Sequence, residues 1–233
     1  MVADRGHVAD AGCDYDGVMA RRGLFDSAPP TANALRGKRF SVGSAGAIAY
    51  ITDKYLASIG LTTKDLEVVR LSELVEAQAV DVGTIDGLHV AEPQLSRLVA
   101  EGHKLIGPAR VYALGVHHAV LIYGPTLTVE HRDVGLRFMK AYLRGVAKLQ
   151  EGLWTQTTGI IAQKLGMAPA MLKGVCLPTI NRDGALNAAM LLDFQKWAVG
   201  NGLLARVAGP DAGIDMAFAR TASSELGIKS SQR

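Results

Sequence analysis

Between residues 36 and 110 the chain alternates short β-type runs with helical ones, an order that few folds accept. Arg36-Gly-Lys-Arg-Phe-Ser-Val-Gly reads as a basic lead-in to an apolar strand that stops at Gly43. From Ala45 on, Ile48, Ile51, Tyr55, Leu56 and Ile59 recur at helical spacing, and Gly60 stands just past the last of them. Leu66 to Leu71 is a second strand, Ser72 to Ala79 a short helix, and Val80 to Ile85 a third strand. His89 to Gly102 is a helix with Pro93 in its first turn, where a missing amide costs least, and His103 to Ile106 is a fourth strand. This alternation needs right-handed crossovers, so residues 36–111 are expected to form an α/β lobe with a parallel-rich sheet flanked by helices.

The remainder has a different texture. Residues 116–123 read as one long strand, and Val129 to Gln150 as an amphipathic helix carrying Val134, Phe138, Leu143, Val146 and Leu149. Helical spacing continues over 159–165, 169–173 and 187–201, and Gly202 closes the last of these before a polar, loosely held tail. Ahead of the α/β region, Tyr15 to Arg21 is one more strand, followed by a linker at Pro29 and Pro30.

Composition narrows the function classes. Although 48% of the 233 residues are apolar, charges and glycines interrupt every run before the roughly 20 residues that a membrane span needs. Met1-Val-Ala-Asp-Arg-Gly-His lacks the charged head and apolar run of a secretory signal. The net charge of +3 is spread along the chain and forms no basic stripe, which argues against nucleic acid as a partner. Cys13 and Cys176 show no CxxC or Cys/His metal spacing; buried free thiols are favoured over a zinc site, with a single long-range disulfide as the other reading. No cofactor or metal motif is present.

Four stretches carry a resemblance. Leu35-Arg-Gly-Lys-Arg-Phe-Ser-Val-Gly-Ser-Ala-Gly, Glu76-Ala-Gln-Ala-Val-Asp-Val-Gly-Thr-Ile-Asp, the Ala91-Glu-Pro-Gln segment and Leu192-Asp-Phe-Gln-Lys-Trp-Ala-Val-Gly-Asn-Gly resemble, in order, motifs of the nitrate, sulfonate and thiamine-precursor binding proteins of ABC import systems. Gln78 and Ala79 depart from that family's usual glycine, and the Glu-Pro segment lacks its aromatics. The resemblance implies a type II periplasmic-binding-protein-like fold with two lobes: 1–35 a remnant of lobe 1 and a crossing segment, 36–111 a complete lobe 2, and 112–233 a return crossing strand with the C-terminal helices of an incomplete lobe 1. It also implies a periplasmic protein that captures a small anionic or heteroaromatic molecule in an interlobe cleft and docks on a membrane permease. Closure is expected about hinges near 27–36 and 112–116, and the incomplete lobe is expected to favour instability, oligomers or a partner chain.

The candidate ligand-binding residues follow from where small anions bind. A turn that ends a strand and opens a helix presents unpaired amides and the positive end of the helix dipole. Gly43, Ser44, Ala45 and Gly46 form such a turn, with Ser44 able to cap the helix or to donate to an oxyanion. Asp86 and Gly87, read as following the third strand, are placed at the same carboxyl end of the sheet, where Asp86 either accepts from an amine or amide or caps a helix. Tyr15, near a crossing segment, is positioned to stack on a planar ligand or to pack in the core. Glu92 is read as structural in a first helical turn, and His117 and His118, as strand neighbours, point to opposite faces and do not share a metal.

Two rival functions remain. The fold's relatives include a thiamine-precursor synthase, but the chain has no cysteine-rich segment and no Ser/His/Asp, HExxH, P-loop or GxGxxG pattern, so the reading is a binding protein and not an enzyme. The second rival is a sensory or interaction remnant that no longer transports.

Overall fold

The computed structural model describes residues 1–9, 12–25, 30–43, 45–166, 168–172, 174–209 and 213–229, the side chains of 73, 74, 153–156, 165 and 171 excepted. In chain order the elements are β1 (Ala3–Asp4), β2 (Asp16–Ala20), α1 (Ala32–Leu35), β3 (Arg39–Ser41), α2 (Gly46–Ser58), β4 (Glu67–Val69), α3 (Glu73–Asp81), β5 (Gly87–Ala91), α4 (Gln94–Ala100), β6 (Lys104–Pro108), α5 (Ala109–Tyr112), β7 (Val120–Leu121), α6 (Arg132–Lys148), α7 (Trp154–Leu165), α8 (Ala188–Gly200) and α9 (Ala217–Glu225). Contacts group them into two units. Unit 1 comprises Met1–His7, Gly115–Pro169 and Pro178–Arg233; unit 2 comprises Val8–Leu114 and Ala170–Leu177.

Unit 2 is built on a five-stranded sheet of order β4-β3-β5-β2-β6. β3 runs parallel to β4 and β5, whereas β2 is antiparallel to both β5 and β6. Four strands therefore share one direction and β2 alone opposes them. Helices cover both faces, which is why all five residues of β2 are buried. Its neighbours Val18 and Met19 point to opposite sides: Val18 packs with Leu35, Phe40, Tyr55, Leu56 and Ile106, and Met19 with Val80, Ile85, Leu88, Leu95 and Leu98. Each of these larger side chains contributes about 1.5–3 kcal/mol on burial.

Three expectations change here. The strand read over 15–21 is present as β2, but it lies inside the unit 2 sheet, so residues 8–35 group with unit 2 and the division falls at 7/8 and 114/115 instead of 35/36 and 111/112. The strand read over 80–85 is the end of α3 and a turn with Gly83 at φ 77°, and the strand follows at Gly87–Ala91, within the stretch read as the start of a helix. Val80 and Ile85 are apolar because both enter the Met19 cluster, a demand that a helix end and a turn meet as well as a strand does. The cysteines form a disulfide, Cys13 to Cys176 with Cα atoms 5.8 Å apart, because the 170–177 segment belongs to unit 2 beside the approach to β2. Residues 27–29 of the supposed hinge and linker lie outside the described residues.

Unit 1 pairs β1 with β7, Ala3 opposite Leu121 and Asp4 opposite Val120, against α6 and α9. The long strand read over 116–123 shortens to these two residues and a bridge from His7 to His117. The tail is less loose than its polarity suggests. α9 buries Phe218, Ala219 and Ala222 against Val2, Met139 and Leu143, a narrow stripe of small residues that an average over the segment hides. No helix among the described residues is long and apolar enough to cross a membrane.

Candidate functional site

Strand direction decides which residues of unit 2 can meet. At the carboxyl ends of β3, β4, β5 and β6 the chain continues into the turn at Gly43, Arg70, Glu92 and Arg110, and the antiparallel β2 brings its amino end, with Cys13, Asp14 and Tyr15, to the same edge. Neighbouring strands are about 4.8 Å apart, so these groups line one rim of the sheet.

The turn from β3 into α2 is tight. A Cβ on Gly43 would stand 3.1 Å from Ile48 Cγ2 and 3.2 Å from the Ala49 nitrogen, and Gly46 opens the helix at φ 78°, a left-handed value that favours glycine. Ala45 is the N-cap, extended at φ −164° and ψ 175°; it has no side-chain acceptor, and the first turn contains no acidic residue. Among the described residues, no side chain of the N-cap or of an acidic first turn takes the opening amides of this 13-residue helix. Ser44 lies outside the described residues.

The rest of the rim is polar and mostly engaged. Tyr15 is half-buried beside it, and its carbonyl accepts from the Glu92 amide at 2.8 Å. Glu92 accepts from the Ser96 amide at 3.0 Å and hydroxyl at 2.6 Å, which caps α4 and fits the structural role read for it. Ser41 donates its hydroxyl to Glu76 at 2.5 Å, and buried His89 and Asp16 lie 3.0 Å apart. Arg110, half out in solvent directly after β6, donates Nε to Asp14 Oδ1 at 2.7 Å. The sequence reading passed over Arg110, although a basic residue next to a strand's carboxyl end was a usable signal.

Asp86 and Gly87 are corrected in position. Because the strand begins at Gly87, both sit at the amino end of β5, across the sheet from Gly43, Ala45, Gly46 and Tyr15. Asp86 accepts from the Arg39 amide at 3.0 Å and guanidinium at 3.0 and 3.2 Å, with Arg21 3.7 Å away. Burial alone would raise its pKa; the Arg39 hydrogen bonds outweigh that and hold the carboxyl below its usual range. Gly87 is required by packing, since a Cβ there would stand 2.2 Å from the Phe40 ring.

Two groups have the residue types of a metal site: Asp4, His7 and His117 in unit 1, and Asp81, Glu101 and His103 in unit 2. Their wiring opposes it. The Asn187 amide donates to His117 Nε2 at 2.9 Å, so the proton is on Nδ1, which donates to Asp4 at 2.9 Å. His103 repeats this, Nδ1 accepting from the Arg22 amide at 3.2 Å and Nε2 lying 2.9 Å from Asp81. A neutral imidazole so arranged has no lone pair left for a cation, and the guanidinium of Arg97 reaches Asp81 at 3.4 Å as well. Asp4 is instead a hub: burial works against its charge, but His117, His7 and the amides of Asn181 and Gly6 outweigh it and hold the carboxyl far below the ordinary range. Residue spacing gave no sign of this hub, whose members are up to 177 residues apart.

A sheet of this order, with one antiparallel strand among four that run together and helices on both faces, is the type II periplasmic-binding-protein-like α/β fold. The solved structures that it resembles say the same. The ligand-binding component of an ABC-type import system from Staphylococcus aureus, solved with zinc bound, superposes with a TM-score of 0.75 at 15% identity over 95% of this chain and 73% of its own. The alkanesulfonate-binding protein SsuA from Xanthomonas axonopodis, bound to MOPS, gives 0.65 at 16% identity over 91% and 73%. The fold also carries an enzyme: desulfurization enzyme DSZB gives 0.59 at 16% identity over 97% and 79%. No family model matches the chain, and no curated protein matches its sequence.

Proposed function

We propose that this chain is the solute-binding component of an ABC importer, holding a small anionic or heteroaromatic molecule at the carboxyl rim of the unit 2 sheet without changing it chemically. The observation that carries this is the opening of α2, where a glycine-framed turn leads into a helix whose first amides have no side-chain cap from Ala45 among the described residues. Gly43, Ala45 and Gly46 are its binding residues in this proposal, together with Ser44 and with Tyr15, whose ring stacks on the solute. The solved importer components with this fold support the reading, as does a disulfide, which suits a periplasmic compartment. A membrane permease is then the partner. DSZB favours catalysis as a second reading, but both cysteines here are oxidised against each other, which leaves no thiol nucleophile at the rim.

Ala45→Asp tests it. An aspartate at this N-cap would accept from the α2 amides itself, adding about 1 kcal/mol of stability and raising Tm by about 2–4 °C. The same change fills the site. Wild type warms with a bound sulfonate or carboxylate in a thermal-shift titration, by an amount equivalent to about 2.7 kcal/mol at a hundredfold excess over Kd, and the variant does not. A variant that is more stable yet still responds to the anion would contradict the assigned site.

A further inference from the structure

Four carboxylates at the rim are each engaged: Asp14 with Arg110, Asp16 with His89, Glu76 with Ser41 and Glu92 with Ser96. Arg110 is not used up in the same way. Its only bond is from Nε to Asp14, so neither Nη has a partner among the described residues, and its side chain is 40% exposed. We infer that Arg110 is the specificity-determining residue of this site, gripping one acid group of the anionic solute end-on with its two Nη groups. The inference rests on the solute-capture reading above.

The geometry gives each partner a role. A guanidinium held through Nε loses rotational freedom and presents the paired Nη edge, the fork that matches two oxygens of one acid group. Asp14 is therefore a positioning residue. It also offsets the charge, so recognition comes from directed hydrogen bonds more than from diffuse attraction. From Arg110, after β6, to the opening of α2, after β3, the rim crosses β2 and β5, so an acid group at Arg110 leaves the rest of the molecule to extend along the rim past Tyr15 toward Gly43 and Gly46. A lysine cannot reproduce the fork.

The test is calorimetric titration of the whole chain with 1-butanesulfonate, butyrate and butylamine. At least one anion binds wild type, butylamine does not, and Arg110→Ala weakens the anion about 10- to 100-fold. Arg110→Lys recovers little of that loss, Asp14→Asn loses less than Arg110→Ala, and Arg137→Ala, which removes the same charge from an exposed pair on α6, leaves affinity unchanged. Melting without ligand stays within a degree or two for the exposed Arg110 variants, separating lost affinity from lost folding. Unchanged anion affinity in Arg110→Ala, or loss in Arg70→Ala instead, would overturn the anchor while solute capture stands. Binding of the amine alone would overturn recognition of an acid group, and no binding of any probe would overturn both.

Discussion

Asp4 shows what single residues do in this chain. It is fully buried and charged, an expensive combination unless every lone pair is used, and it accepts from two imidazoles and two amides. Its folded pKa is depressed, so the stability it contributes is present above its unfolded value of 3.8 and is lost as pH falls from there through the lower folded value. Asp4→Asn should cost about 3 kcal/mol near neutral pH and flatten that acid limb, which urea unfolding at pH 7 and pH 3 would measure. A variant as stable as wild type at pH 7 would remove the hub from the description. Such residues were not legible in the sequence, because nothing local links Asp4 to His117 or Asn181. The turn that holds Gly43, Ala45 and Gly46 is legible because a passage from strand to helix is a local pattern. Asp86 was misplaced by a strand boundary a few residues too early.

At the scale of elements, the alternation over 36–110 survives with shifted edges. β3, α2, β4 and β6 fall where apolar spacing and glycine stops put them. α3 overran its reading because Val80 suits either element, and β5 escaped notice because it carries His89, a polar residue that a buried strand accepts only with a partner such as Asp16. The antiparallel β2 and the Cys13–Cys176 link are long-range facts that no period encodes. The disulfide spans 163 residues, and a crosslink over so long a loop stabilises by up to about 5 kcal/mol through the unfolded chain. Cys13→Ser with Cys176→Ser should lower Tm by about 5–15 °C, and thiol titration of the native protein without reductant should find no free thiol. Two reactive thiols with an unchanged Tm would contradict the link.

Across the whole molecule the chain passes four times between units, at 7/8, 114/115, 169/170 and 177/178. Each passage separates residues that sequence order places together, which is why the expected boundaries at 35/36 and 111/112 fell elsewhere while the fold class itself held. The fold class was readable because it needs only the order of strands and helices. The division was not, because it depends on which distant segments share a core. Unit 1 offers a rival location, a shallow groove of about 260 Å³ lined by Arg132, Leu136, Phe218 and Thr221, so the site assignment can be decided by position alone. Amide NMR of the labelled 24.6 kDa protein during titration with 1-butanesulfonate does so most directly. Binding at the rim shifts the amides of Gly46, Ala47 and Ile48 together with the Arg110 Nε proton. Shifts confined to the Arg132–Phe218 groove, or none in either place, would contradict it.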